Sequence, residues 1–156
     1  MVLVGIYSGW RPQELSILKI EDIDLEAWTF YGGLKTDAGR NRCVPIHPAI
    51  RDLVKRNYDK AIELGSDYLF NDENGQQGTS MTYDKYRGRF NKINKKFGLS
   101  HRPHDTRHTF ITMAKNANMN EYILKLIVGH TIEDVTEKVY THRTMEQLQQ
   151  EILKIK

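Results

Sequence analysis

Apolar residues recur along this chain with two different periods, and the changes of period divide it. Met1 to Tyr7 is an almost unbroken apolar run that reads as a core helix. It is too short to span a membrane and lacks the basic flank and small-residue cleavage site of a signal peptide. No capping residue precedes it, so the expectation is a helix entered part-way along, in a chain truncated at its N-terminus. SGWRP breaks the run, and Pro12 suits the first turn of a short second helix. From about Asp24 to Pro45 the pattern turns to strand. Trp28, Thr29, Phe30 and Tyr31 favour it, Gly32 and Gly33 interrupt, and Arg42, Cys43 and Val44 favour it again. Thr36-Asp37-Ala38-Gly39 is turn chemistry, which predicts a hairpin with Lys35 at its near end.

After Pro48 a helical stripe of Ile50, Leu53, Val54, Tyr58, Ile62 and Leu64 runs to Gly65. A polar loop from Asp67 to Thr79 surrounds a short predicted strand at Tyr68 to Phe70. A helix from Thr82 to Phe97 carries Tyr83, Tyr86, Phe90, Ile93 and Phe97 on one face, and further helices begin near Asp105, Asn120, Ile132 and Thr144. These elements amount to an α+β fold, a mainly helical domain with a small antiparallel sheet of about three strands, taking residues 1–156 as one domain.

Composition adds little. With 39% hydrophobic and 28% charged residues the chain has an ordinary globular make-up, and a net charge of +3 mildly favours an anionic partner. Cys43 is the only cysteine, which excludes an intrachain disulfide and a thiolate metal cluster and fits a reducing, cytoplasmic setting.

The histidines change the picture more. Five of six lie between His101 and His142, with Arg107 and Tyr140 among them, in HDTRHTF, VGH and YTH. His104 and Arg107, three apart, share a face at a helix start, where backbone N–H groups and the helix dipole suit a phosphate. The plainer explanation is a polar helix start with a chance arginine. His104 and His108, four apart with Asp105 between, also fit a variant of the HExxH zinc-hydrolase pair, although no third ligand has a supporting motif. Arg11 and Glu14 can pair across the short second helix, which in isolation is a surface ion pair of little worth. Lys35 alone reads as a solvated turn lysine. Lys85, Arg89, Lys92 and Lys96 form a basic stripe beside the aromatic one, able to meet phosphates but equally a plain solvated face.

In order, these elements resemble the tyrosine recombinase (phage integrase) family. SGWRPQEL is similar to its first box, with Arg11 as first catalytic arginine and Glu14 as supporting acid. GGLKTDAGRNRCVPIHP resembles the hairpin carrying the catalytic lysine, Lys35. HDTRHTF resembles the HxxR box and gives His104 and Arg107, VGH gives His130, and VYTH gives the nucleophile Tyr140, ten residues on. Thr106 and Val128 stand where leucine is more usual, and both read as packing variations.

The resemblance implies a catalytic domain that cleaves and rejoins double-stranded DNA at a specific attachment or crossover site. Cleavage would run through a 3′-phosphotyrosine intermediate, with no metal, cofactor or ATP. It implies a core-binding domain absent from these residues and a bacterial or phage origin with nucleoid association. It also implies assembly, as a tetramer on DNA, through residues 144–156, where Met145, Leu148, Ile152 and Ile155 form an apolar stripe. That stripe equally suits docking on its own domain. A non-catalytic DNA-binding module and a type IB topoisomerase-like activity are the alternatives.

Overall fold

The computed structural model describes residues 1–34, 39–72, 79–132 and 144–156. Helices α1 (Val2–Ser8) and α2 (Pro12–Ser16) meet at Gly9, whose φ of 67° turns the chain left-handed. Any side chain there would strike Phe110, so the turn requires glycine twice over. A 3-10 turn (Ile20–Asp22) leads into the sheet of β1 (Ile23–Asp24), β2 (Thr29–Gly32) and β3 (Arg42–Pro45). Its order is β1-β2-β3, antiparallel, with Ile23 opposite Phe30 and Phe30 opposite Val44. Those three side chains are buried and make the inner face of the sheet.

Helices α3 (Pro48–Glu63), α4 (Tyr83–Phe97), α5 (Asp105–Asn116), α6 (Glu121–Val128) and α7 (Met145–Ile152) supply the rest. Their starts follow local chemistry: Thr82, Asn120 and Thr144 each accept a hydrogen bond from a first-turn N–H, and Pro48 opens α3. Helix α1 packs on α5 so closely that a Cβ at Gly5 would lie 2.6 Å from Thr106 Oγ1. The core gathers Val4, Trp10, Phe30, Ile50, Phe110 and Ile127 into one cluster. The mainly helical α+β architecture and the three-stranded sheet agree with the sequence reading.

One expectation is corrected. Tyr68 to Phe70 forms no strand: Tyr68 makes a single bridge with Lys19, and neighbouring backbone groups bond to Leu18, Ile20 and Met81 instead of a sheet. The segment is a buried connection whose Leu69 and Phe70 fill the core. The predicted helix starting near Ile132 falls mostly on residues 133–143, outside the described residues.

The C-terminal stripe takes the docked position on its own chain. Leu148, Ile152 and Ile155 are buried, and α7 packs against β3 and α6. His47 fastens the end: its Nδ1 accepts from the Ala49 N–H, leaving Nε2–H to donate to the Ile155 carbonyl at 2.9 Å.

Candidate active site

Glu14 lies at the centre of the site, with its side chain 2% exposed. Its carboxylate accepts from Arg11 Nη1 at 3.1 Å, from the Arg11 and Leu34 N–H groups at 3.1 Å each, and from Arg42 Nη2 and Nη1 at 2.6 and 3.2 Å. Burial alone would raise this carboxyl. The hydrogen bonds and charge of Arg42, with the two N–H donors, overcome that and bring it down to about 2. The Arg11–Glu14 pair read as a surface contact is thus part of a buried network, and the stronger partner of Glu14 is Arg42.

Arg42 was not foreseen. It opens β3 on the same face as Val44, so a strand that buries Val44 buries Arg42 too. A buried guanidinium requires a carboxylate, and that alternation was the available signal. Its Nε donates to the Ile127 carbonyl at 3.1 Å and its Nη1 to the Gly39 carbonyl at 2.6 Å, while the group stacks 4.5 Å from the Trp10 ring centroid.

Helix α6 ends in a left-handed turn at Gly129, with φ 67°. The Gly129 and His130 N–H groups bond back to Leu126 and Lys125, the paired pattern of a Schellman cap. A Cβ at Gly129 would stand 2.8 Å from Gly39 Cα, so the hairpin base and this turn approach too closely for any other residue. Arg11 Nη2 donates to the Gly129 carbonyl at 3.3 Å, which brings the first arginine to the turn that carries His130.

Arg107 comes up from the first turn of α5 and is 2% exposed. Nη1 donates to the Gly9 carbonyl at 2.7 Å; Nη2 is buried and has no hydrogen-bond partner among the described residues. Burial, then the charges of Arg11 and Arg42, pull this guanidinium down to about 10. Two cations this close, with a donor left over, favour an anion beside them. The backbone does not supply it as expected: the Asp105, Thr106 and Arg107 N–H groups donate to the carbonyls of Arg102, Pro103 and His104. The tight turn through Pro103 uses those donors, which leaves the side chains as the groups able to meet an anion here.

His104 and His130 are both exposed at this cluster and both titrate below the ordinary value, through partial burial first. For His104 the next causes are the charges of His108, Arg107 and Arg11; for His130 they are Arg107 and Arg11. Shared electrostatics with the same two arginines place Arg11, Arg107, His104 and His130 in one neighbourhood. The His104 and His108 rings meet edge to face at 5.0 Å, and no group of three metal-ligating side chains gathers among the described residues. Lys35 and Tyr140 lie outside the described residues.

The basic stripe on α4 is partly neutralised. Lys85 and Arg89 share the Asp72 carboxylate at 2.7 and 2.5 Å, while Lys92 and Lys96 are exposed, Lys96 lying over the Phe97 ring.

One prediction follows from the depressed histidines. His47 also titrates low, through burial and the nearby Arg51 against the opposing Ile155 bond. Below 6.5, the ordinary value, the unfolded chain takes up protons before the folded chain does. Stability is therefore full above 6.5 and falls as pH drops from there toward the folded values. Thermal unfolding should show a lower midpoint at about pH 5.5 than at about pH 7.5, and His47→Gln should shrink the difference. An unchanged midpoint between the two would contradict the assignment.

The sequence profile of the Phage integrase family matches residues 1–147. The chain is 31% identical over 148 residues to tyrosine recombinase XerA of Saccharolobus solfataricus, covering 94% of this chain and 46% of that protein. It is 30% identical over 158 residues to XerA of Pyrococcus horikoshii, covering 100% and 54%. Among solved structures, the Tn1549 transposon integrase in complex with circular intermediate DNA superposes with a TM-score of 0.70 at 26% identity, covering 97% of this chain and 55% of that one. The chain spans about half the length of the curated relatives it matches.

Proposed function

We propose that this chain, which belongs to the phage integrase family, is the catalytic domain of a site-specific DNA recombinase. Residues 1–156 would cleave and rejoin double-stranded DNA through a 3′-phosphotyrosine. The observation that carries this reading is Arg107 Nη2, a buried donor with no partner among the described residues, beside a second guanidinium. Relatives named recombinases and an integrase solved with DNA support it.

The transition state of phosphodiester cleavage places extra negative charge on the non-bridging oxygens. Arg11 and Arg107 donate to those oxygens, and His130, whose pKa burial and the two arginines lower, gives one further N–H. The Tyr140 oxygen attacks phosphorus as the P–O5′ bond breaks. His104, its pKa lowered first by burial, accepts or shares the phenol proton, and Lys35 delivers a proton to the leaving 5′-oxygen. Glu14 orients Arg11. The phosphotyrosine conserves the bond, so a 5′-hydroxyl from another strand reverses the step without ATP or a divalent metal.

On α4, Lys92 and Lys96, with Lys85 and Arg89 sharing the Asp72 carboxylate, line the approach of the DNA backbone. The active assembly is a tetramer on DNA, with residues 144–156 exchanged between protomers, in a bacterial or phage cytoplasm at the nucleoid. No helix of the described residues is long and apolar enough to cross a membrane.

The test uses nicked duplexes from the DNA flanking the chain's gene, incubated in chelator and resolved under denaturing conditions. A covalent protein–DNA adduct mapping to Tyr140 is expected. Binding without an adduct points to a DNA-binding module instead, and supercoil relaxation without strand exchange points to topoisomerase-like activity.

A further inference from the structure

Arg42 belongs to none of the roles given above, yet it determines how Arg11 can be used. Glu14 is offered two guanidiniums. The Arg42 guanidinium takes both carboxylate oxygens, at 2.6 and 3.2 Å, whereas the Arg11 guanidinium reaches one of them through Nη1 at 3.1 Å, the other accepting the Arg11 backbone N–H at 3.1 Å. Arg42 is itself immobilised by the Ile127 and Gly39 carbonyls and the Trp10 ring, with its side chain 5% exposed, so it cannot reach a substrate. Arg11 keeps 14% exposure, and among the described residues its other terminal nitrogen is held by the longer 3.3 Å bond to Gly129.

We infer that Arg42 is a positioning residue for Arg11: by occupying Glu14 from the far side, it prevents Arg11 from closing a two-pronged fork on the same carboxylate. A guanidinium beside a free carboxylate adopts that bidentate pairing. With Arg42 absent, Arg11 would fold onto Glu14 and be withdrawn from the scissile phosphate. The inference rests on the proposed role of Arg11 at that phosphate.

The test compares two nicked duplexes in the full chain. One carries the natural phosphodiester at the cleaved position; the other carries a methylphosphonate there, which lacks one non-bridging charge and so needs less help from Arg11. Arg11→Ala sets the pattern, a larger loss of adduct-forming rate on the phosphodiester than on the methylphosphonate. Arg42→Lys keeps a charge near Glu14 but has no fork, and should show the same pattern, about tenfold slower on the phosphodiester and less than about threefold slower on the methylphosphonate. A merely structural loss would slow both substrates equally, and that result, or a wild-type rate on the phosphodiester, overturns the inference. Because Arg42→Gln alone leaves Glu14 unpaired on one side, the double variant Arg42→Gln/Glu14→Gln is measured beside it. The double should be faster on the phosphodiester than Arg42→Gln; no recovery also counts against the inference. If wild type forms no adduct on either duplex, the recombinase reading fails and this inference with it. If wild type reacts but Arg11→Ala slows both duplexes alike, the placement of Arg11 at the phosphate is what fails, and the role of Arg42 falls with it.

Discussion

Arg107→Lys is expected to slow adduct formation by about 10²–10³-fold, the usual consequence of removing one preorganised donor from a developing oxyanion. Arg107 differs at its two nitrogens: Nη1 holds the Gly9 carbonyl, and Nη2 is a buried donor without a partner among the described residues, which the proposed reaction gives to phosphate. A lysine ammonium on a flexible stem cannot reproduce both directions. Charge matters as well. Burial and the neighbouring arginines already pull the Arg107 guanidinium to about 10, still protonated at neutral pH. A lysine begins lower, near 10.4 against 12.5 or more for arginine, so the same surroundings drive it toward the neutral form. Single-turnover rates on the nicked duplex, with circular dichroism to show the fold retained, would check this. A rate within about threefold of wild type would remove Arg107 from the reaction.

Glu14→Gln should be the most damaging substitution to stability in the site, costing about 3–5 kcal/mol, the range for breaking a buried ion pair from one side. The carboxylate accepts five hydrogen bonds, from Arg11, Leu34 and Arg42. An amide keeps one acceptor oxygen and leaves Arg42 charged and buried. The sign of the pH dependence is fixed by the depressed carboxyl. Its stabilisation is fully present above the ordinary value of 4.5 and is lost as pH falls from there toward about 2. Denaturant titrations should therefore show a stability loss over that interval in wild type that is smaller in Glu14→Gln. Parallel acid profiles for the two proteins would mean that Glu14 is not held ionised by Arg42.

What could be read from the sequence was whatever short-range chemistry dictates. The strand pair around the glycines, the stripe of α3 and the helix starts near Thr82, Asp105 and Thr144 all depend on residues a few positions apart. The family boxes are equally local, each a turn or a helix end, and the fold sets Arg11 against Glu14 and against the Gly129 turn before His130. What was not legible depends on distant partners. Glu14 and Arg42 are 28 residues apart, and nothing local shows that the acid beside Arg11 chiefly serves another arginine. The backbone donors at the start of α5 were expected to meet phosphate, but the turn through Pro103 consumes them. Tyr68 to Phe70 has strand composition, yet its neighbours in space offer single hydrogen bonds in place of a ladder. The stripe of α7 looks the same whichever surface covers it.

That last point has a thermodynamic consequence. The surface that holds Leu148, Ile152 and Ile155 is built from β3, α6 and His47 of the same chain, so every other copy of the protein presents it unchanged. An arm moved from its own seat to the identical seat on a neighbour gives up and regains the same contacts, and their energy cancels from the balance. What remains is the concentration of neighbours, so crowding of copies at one place, and not any gain in contact energy, would decide which seat an arm takes.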